Sequence, residues 1–313
     1  KLDRNVAIKV MHQNFADDND FTARFKREAQ IVARLDHPHI VPVYDYDEYN
    51  GMPYLVMKII QGRSLKQIML KKPPTVDEII HIMTAVGDAT TYAHNQGILH
   101  RDIKPSNIVI DNDNIPYLAD FGLARIAAAG ESTMSADVLL GTPNYMSPEQ
   151  AKGSKDIDFR SDLYSLGIVL YELVVGQVPF SSPTPLAVIQ DHINTPLPRP
   201  SQINPDVPPR LERVLKKALA KNPTQRYNSA NQMVSEFTQA IHDENLAALS
   251  EDRKATADDS LARWREAYAS YESKKRADLD ENDSIAQSIR NLAQSSVVKD
   301  SSVQSPHPIN SES

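Results

Sequence analysis

The stretch from residue 100 to residue 122 constrains the fold of this chain more than any other part of its sequence. A β-branched run at residues 108–110 is followed by four turn-forming residues, 111–114, and then by an apolar run at residues 117–119. Two short apolar runs separated by such a cluster predict two antiparallel strands joined by a tight turn. The hairpin would bring the polar residues before and after it close together in space.

The polar residues that flank this hairpin suit phosphoryl transfer from a nucleotide. Asp102 and Asn107 precede the first strand, and Asp120 follows the second. The reaction needs one carboxylate to accept the proton of the attacking hydroxyl. It also needs a second carboxylate and an amide oxygen to hold Mg²⁺ on the phosphates. The arrangement predicts a catalytic centre at the hairpin, and the alternative is a polar hairpin whose acidic residues are unrelated.

The motifs at the two ends of this stretch resemble the catalytic and metal-binding loops of the protein kinase family. The first is H-R-D at residues 100–102, followed by four residues and Asn107. The second is D-F-G at residues 120–122, which begins thirteen residues after Asn107. The resemblance implies that Asp102 accepts the hydroxyl proton and that Lys104 neutralises the moving phosphoryl group. It also implies that Asn107 and Asp120 hold Mg²⁺ on ATP.

The beginning of the chain resembles the nucleotide-binding part of the same family. V-A-I-K at residues 6–9 reads as a strand, and residues 17–36 follow with helical apolar spacing. The resemblance implies that Lys9 contacts the phosphates and forms an ion pair with Glu28. Met57 matches the residue that gates the adenine pocket. The main chain of residues 58–60 would bond the adenine edge, although the family usually has glutamate at position 58. The remaining residues assigned to the nucleotide are Ala7, Lys58, Ile60 and Val109.

Residues 123–146 correspond to the activation loop of the family. Thr133 and Ser135 are expected to be autophosphorylated, and Arg101 would pair with the added phosphate. Thr142 is expected to contact the catalytic Asp102. The S-P-E string at residues 147–149 stands where the family usually has A-P-E.

Three further residues, Glu149, Arg226 and Asp162, are expected to have structural roles. The resemblance implies that Glu149 pairs with Arg226, 77 residues later. It also implies that Asp162 ties the backbone of the catalytic loop to a long helix. That helix is predicted at residues 160–176 and is apolar nearly all round, which is typical of a buried helix.

Other helices are predicted at residues 76–96, capped by Thr75 or Asp77, and at residues 211–219 and 230–241. The proline-rich residues 179–209 are predicted to be loop-like.

Composition narrows the possible functions. The 313 residues are 41% hydrophobic and 24% charged, with a net charge of −7, which gives no indication of nucleic-acid binding. Because the chain contains no cysteine, it has no disulfide, no cysteine-ligated zinc and no thiol nucleophile. No signal peptide or apolar stretch long enough to span a membrane is present in the sequence. A cytoplasmic location is expected, and the sequence leaves open whether the full-length protein is anchored in a membrane beyond this C-terminus.

The domain organisation follows from the motifs and from changes in composition. Residues 1–60 are assigned to a small kinase lobe, 61–247 to the large lobe, 248–293 to a partly helical linker and 294–313 to a disordered serine-rich tail. The apolar stripe Leu261, Trp264, Tyr268 and Tyr271 in the linker leaves a short coiled coil or a docking helix as an alternative.

Only five residues precede Val6 and none is glycine, so the family's Gly-rich loop is missing. A fragment with about three small-lobe strands and weak activity is expected.

The fold class expected is α+β, with the two-lobed arrangement of protein kinases. Strings such as G-T-P-N-Y-M-S-P-E-Q at residues 141–150 look most like bacterial, eukaryotic-like Ser/Thr kinases. The expected substrates are protein Ser and Thr hydroxyls, with ATP and Mg²⁺ as cofactors and a homodimer for autophosphorylation in trans. Two alternatives remain: a pseudokinase that serves as an ATP-binding scaffold, and a kinase-like phosphotransferase that acts on small molecules.

Overall fold

This computed structural model describes residues 5–10, 19–49, 52–121 and 143–247. The expectations for Thr133, Ser135 and Thr142, and those for residues 248–313, lie outside the described residues. The described part has two small antiparallel sheets, of order β1-β3-β2 and β4-β5-β6, together with nine α-helices. These elements confirm the predicted α+β class.

The first sheet carries the start of the predicted site. It contains β1 (Val6–Val10), β2 (Val43–Tyr49) and β3 (Met52–Lys58), and these are the three strands expected for the small lobe. Helix α1 (Asn19–Val32) packs on this sheet through the side chains of Phe25, Ala29 and Val32, which are buried as their spacing predicts. The helix ends four residues earlier than predicted because a tighter turn follows, in which Leu35 N donates to Val32 O at 3.0 Å.

The second sheet contains the predicted hairpin. Strands β5 (Ile108–Asp111) and β6 (Pro116–Leu118) pair with each other, and β4 (Gly62–Ser64) pairs with β5. Asp111 closes the turn, since its Oδ1 accepts the backbone N–H groups of Asp113 at 3.0 Å and Ile115 at 2.8 Å. An aspartate that bonds to its own turn favours this geometry. The hairpin prediction is confirmed.

The larger part of the described chain is helical. Helix α3 (Val76–Asn95) begins at Thr75, whose hydroxyl and the Glu78 side chain form a capping box, so Thr75 is the cap. Nearly every residue of α5 (Arg160–Val175) is buried, as predicted, and Gly176 ends it with φ of +93°. The other helices are α2 (Leu65–Lys71), α4 (Pro148–Ala151), α6 (Pro185–Asn194), α7 (Pro200–Ile203), α8 (Pro209–Ala218) and α9 (Ala230–Ala247).

The prediction that residues 179–209 are loop-like is wrong in two places. Both α6 and α7 lie in this stretch, and each begins with a proline in its first turn. Proline is well accommodated at the first helical position, where its missing N–H would have no intrahelical partner. The hydroxyl of Thr184 caps α6 by accepting the N–H of Ala187 at 3.2 Å. The prolines therefore begin helices here rather than exclude them.

A buried histidine on α6 predicts acid sensitivity of the fold. Burial, followed by the charge of Lys221, lowers the pKa of His192 from 6.5 to about 3. Between these two pH values the unfolded chain binds the proton and the folded chain does not, so stability decreases as the pH falls from about 6.5 to 3. The maximum slope from this residue is about 1.4 kcal/mol per pH unit.

Urea titrations of the wild type and His192→Gln at several pH values measure this effect. Glutamine is uncharged throughout the range and still offers an acceptor to the Tyr164 hydroxyl, which lies 3.0 Å from His192 Nδ1. The variant should show a flatter dependence of unfolding free energy on pH. Equal slopes for the two proteins would show that His192 does not contribute.

Candidate active site

The loop that carries Asp102 is fixed through its backbone by a buried aspartate. Asp162 on α5 accepts the N–H of His100 on Oδ2 at 2.7 Å and the N–H of Arg101 on Oδ1 at 2.7 Å. Its side chain is only 1% exposed. Burial alone would raise the pKa of Asp162, but the hydrogen bonds and charges of His94 and His100 lower it below its usual value. A carboxylate held in this way ties the loop to the centre of the helical part.

His94 is a supporting residue that the motifs did not reveal. Its Nε2 lies 2.8 Å from Asp162 Oδ2, and its side chain is 8% exposed. It belongs to the last turn of α3, six residues before His100. A histidine at the end of a helix that leads into the loop was the available signal, but its partner lies 68 residues away. His94 therefore orients the carboxylate that holds the loop.

Asp102 lies within reach of two side chains that can orient it. Lys104 Nζ is 2.6 Å from Asp102 Oδ2, and the two side chains are 35% and 27% exposed. Asn107 Nδ2 donates to Asp102 Oδ2 at 3.0 Å and to the Asp102 carbonyl at 2.8 Å. A carboxylate that is oriented from two directions and still partly open to solvent can receive the proton of an incoming hydroxyl.

Asp120 stands across the hairpin from this cluster. The backbone places it there directly, because the N–H of Ala119 donates to the Asn107 carbonyl at 2.8 Å. Asp120 adopts φ of +61°, a strained value for a residue with a side chain. Such strain is common at functional sites. The two ends of the hairpin thus bring Asn107 and Asp120 together, as predicted.

The predicted ion pair between Lys9 and Glu28 is wrong for this structure. Lys9 Nζ lies 3.0 Å from Asp120 Oδ1, and the described residues show no ion pair between Lys9 and Glu28. The physical reason is that β1 directs the ammonium group towards the end of β6, where the carboxylate of Asp120 is within reach. Because these two side chains are 42% and 34% exposed, their ion pair contributes only about 0–1 kcal/mol to stability. Lys9 can therefore leave Asp120 for another anion at little cost.

The residues assigned to the adenine pocket lie along the first sheet and the hairpin. Ala7 is opposite Met57 in the pairing of β1 with β3, and Lys58 ends β3. Ile60 follows two residues after the end of β3, outside any strand, and Val109 lies on β5. The N–H of Lys58 donates to the Pro42 carbonyl at 3.0 Å, so this group is not the one that binds adenine. The carbonyl of Lys58 and the main chain of Ile60 remain the predicted contacts.

The predicted contact between Glu149 and Arg226 is present and bidentate. Arg226 Nη1 and Nη2 donate to the two carboxylate oxygens of Glu149 at 2.7 and 2.9 Å. The Arg226 side chain is 0% exposed. It also donates to the carbonyls of Arg160, Ala220 and Lys221. The guanidinium group thereby joins α4, the start of α5 and the segment that follows α8.

Comparison with known proteins identifies the family to which this site belongs. The sequence matches the protein kinase domain over residues 1–238, and the chain belongs to the protein kinase family. It is 44% identical over 239 residues to the serine/threonine-protein kinase PknB of Mycolicibacterium smegmatis, covering 74% of this chain and 38% of that protein. It is 39% identical over 246 residues to the serine/threonine-protein kinase PrkC of Bacillus subtilis, covering 78% and 38%.

Solved structures agree with this assignment. The kinase domain of PknI from Mycobacterium tuberculosis superposes with a TM-score of 0.61 at 33% identity, over 75% of this chain and 85% of that one. The domain is thus of the bacterial, eukaryotic-like Ser/Thr protein kinase type, with a two-lobed α+β fold. The chain spans 38% of the length of the two curated relatives above. Within the described ranges, none of the helices combines the length and apolar character needed to cross a bilayer.

Proposed function

We propose that this protein transfers the γ-phosphoryl group of ATP to serine and threonine hydroxyls of other proteins. The observation that carries the proposal is the cluster of Lys104 and Asn107 around Asp102, on a loop anchored to α5 by Asp162. Phosphoryl transfer asks for little covalent chemistry from the protein, so positioning and charge account for most of the rate. A rigid loop with an oriented carboxylate and an adjacent ammonium group meets both requirements.

The roles proposed for the residues follow from their chemistry. Asp102 orients the substrate hydroxyl and accepts its proton through the carboxylate. Lys104, 2.6 Å from that carboxylate, neutralises charge on the phosphoryl group as it moves. Lys9 positions the α- and β-phosphates of ATP. To do so, its ammonium group leaves the carboxylate of Asp120 and binds the phosphates of the nucleotide. Selectivity for Ser and Thr over Tyr is attributed to Lys104 and Thr142.

The residues at the hairpin also suit Mg²⁺. Asn107 uses its Nδ2 as a donor to Asp102, so its Oδ1, which lies 3.4 Å from the Ser106 hydroxyl, is the amide oxygen that can bind an ion. Mg²⁺ prefers oxygen ligands and usually takes one or two carboxylates from the protein, with substrate phosphates completing the shell. When bound, the ion neutralises charge on the phosphate oxygens. Asp120 and Asn107 would hold it. The described residues contain no cluster of three or more His or acidic side chains placed to hold a metal.

The partners proposed are proteins with exposed Ser or Thr, including a second copy of this chain. Autophosphorylation at Thr133 and Ser135 would place negative charge where Arg101 can pair with it. A homodimer that phosphorylates in trans is proposed on the same basis. Arg101 itself is half-buried, next to Asp102.

Transfer of labelled phosphate tests the proposal against both alternatives. The protein is incubated with γ-labelled ATP and Mg²⁺, together with casein as a generic protein and, separately, with an aminoglycoside. Label on Ser and Thr of the protein acceptor or of the chain itself is expected. Label on the aminoglycoside alone would indicate a small-molecule phosphotransferase. Mg²⁺-dependent ATP binding without any transfer would indicate a pseudokinase.

A further inference from the structure

The turn that presents Asp102 has a strained backbone. Arg101 has φ of +63°, in the left-handed region that residues with a side chain rarely adopt. Such a conformation persists only where the surroundings fix it from several sides. Asp162 holds the N–H of Arg101 at 2.7 Å, and His100 Nδ1 lies 3.2 Å from the N–H of Asp102. The carbonyl oxygen of Arg101 lies in the chain between these two N–H groups, and its hydrogen-bond partner comes from another part of the sequence.

Gln150 holds that carbonyl oxygen. Its Nε2 donates to the oxygen of Arg101 at 2.9 Å, across 49 residues of sequence. Its Oε1 accepts the N–H of Ser147 at 3.1 Å, and the Ser147 hydroxyl accepts the N–H of Gln150 at 3.2 Å, which completes a capping box. Both ends of the amide are therefore used, and the two contacts require opposite chemistry, an acceptor for Ser147 and a donor for Arg101.

We infer that Gln150 is a positioning residue for Asp102, an inference that rests on the proposed transfer reaction. The carbonyl of Arg101 and the N–H of Asp102 share one planar peptide group. A hydrogen bond to the oxygen therefore fixes the plane from which the Asp102 side chain departs. Without it, this peptide can rotate towards a less strained conformation, and the carboxylate turns away from the position that accepts the hydroxyl proton.

The same contact links Asp102 to the segment that precedes α4. Gln150 lies in α4, directly after residues 143–147, and Ser147 Oγ is 2.7 Å from Ser161 Oγ at the start of α5. Ser161 is the immediate neighbour of Asp162, which holds the other side of the turn. A displacement of α4 would thus be transmitted to the catalytic carboxylate through one amide group.

Gln150→Glu separates the two functions of this side chain. Glutamate keeps the acceptor for Ser147 and the capping box, but it cannot donate to the Arg101 carbonyl. We expect kcat to fall about threefold to tenfold, while KM for ATP and Tm stay close to those of the wild type. Gln67→Glu is the matched control, because Gln67 forms the same capping box with Ser64 at the start of α2. That variant should keep the wild-type kcat.

Hydrogen exchange provides a readout that does not depend on activity. Amides of residues 98–107 should exchange faster in Gln150→Glu than in the wild type or in Gln67→Glu. Gln150→Met removes donor and acceptor without adding charge, and it should lower both kcat and Tm. An unchanged kcat in Gln150→Glu, or a wild-type kcat in Gln150→Met, would overturn the inference. A wild type that transfers no phosphate even in long incubations would instead refute the proposed function, and exchange at residues 98–107 would still decide whether Gln150 holds the turn.

Discussion

Asp102→Asn is expected to lower kcat about 10²–10⁴-fold, the usual contribution of a general base. Asparagine keeps an oxygen that can accept the hydrogen bonds of Lys104 and Asn107, now 2.6 and 3.0 Å from the carboxylate. The loop geometry should therefore persist, while the capacity to accept the hydroxyl proton is lost. Steady-state kinetics with a protein acceptor measure the loss. Calorimetric titration with Mg-ATP should give an affinity close to that of the wild type.

Asp120→Ala is the control for this experiment, because it removes the carboxylate on the other side of the hairpin, which has a different proposed role. Its main effect should be loss of Mg²⁺-dependent nucleotide binding rather than of the chemical step. Both variants need a Tm near that of the wild type for the comparison to hold. A wild-type rate for Asp102→Asn would show that another group accepts the proton, and the assignment of Asp102 would be wrong.

Local sequence was sufficient to predict the hairpin and its polar ends. The apolar runs and the turn cluster of residues 108–119 determine β5, β6 and the turn between them, and Asp111 closes that turn with its own side chain. The contact between Glu149 and Arg226 spans 77 residues, and it was reached only through the family resemblance. Apolar patterns with a period of two residues predict strands, and those with a period of three to four residues predict helices. A contact between two distant charged residues leaves no such pattern, so it can be predicted only from a known fold.

The errors in prediction concern contacts decided by tertiary placement. The sequence offers several carboxylates to Lys9, and the fold places its ammonium group 3.0 Å from Asp120 Oδ1 rather than beside Glu28. His94 and Gln150 bind partners 68 and 49 residues away, and neither leaves a periodic signal. Residues 179–209 were misread because proline is rare inside helices but favourable at their first position. For Lys9, His94 and Gln150, the chemical group is evident in the sequence, whereas the fold selects its partner.

Arg226→Met should give the largest loss of stability among the substitutions considered. It removes both hydrogen bonds to Glu149 and leaves a carboxylate that is 11% exposed without its cation. The carbonyls of Arg160 and Ala220 lose a donor as well. Removing one partner of a buried ion pair typically costs about 3–5 kcal/mol. For a domain of this size, that corresponds to a decrease in Tm of roughly 10 °C.

Arg226→Lys tests whether charge alone is sufficient. Lysine keeps the positive charge, but its single ammonium group cannot reproduce the planar fork that contacts Glu149 with two nitrogens. We expect Tm to fall nearly as far as in Arg226→Met. The matched control is Arg210→Met, because Arg210 pairs with Asp243 at the surface and is 51% exposed. Surface pairs contribute about 0–1 kcal/mol, so this variant should unfold close to the wild-type temperature.

The double variant Glu149→Met/Arg226→Met separates the interaction between the two side chains from the cost of leaving one of the charges buried alone. Removing both charges eliminates the unpaired carboxylate, so the double variant should be more stable than the sum of the two single losses predicts. A coupling of at least about 1 kcal/mol is expected for residues in direct contact. If Arg226→Met unfolds as Arg210→Met does, the contact is not a structural brace. The link from α4 through Gln150 to Asp102 would then need another support.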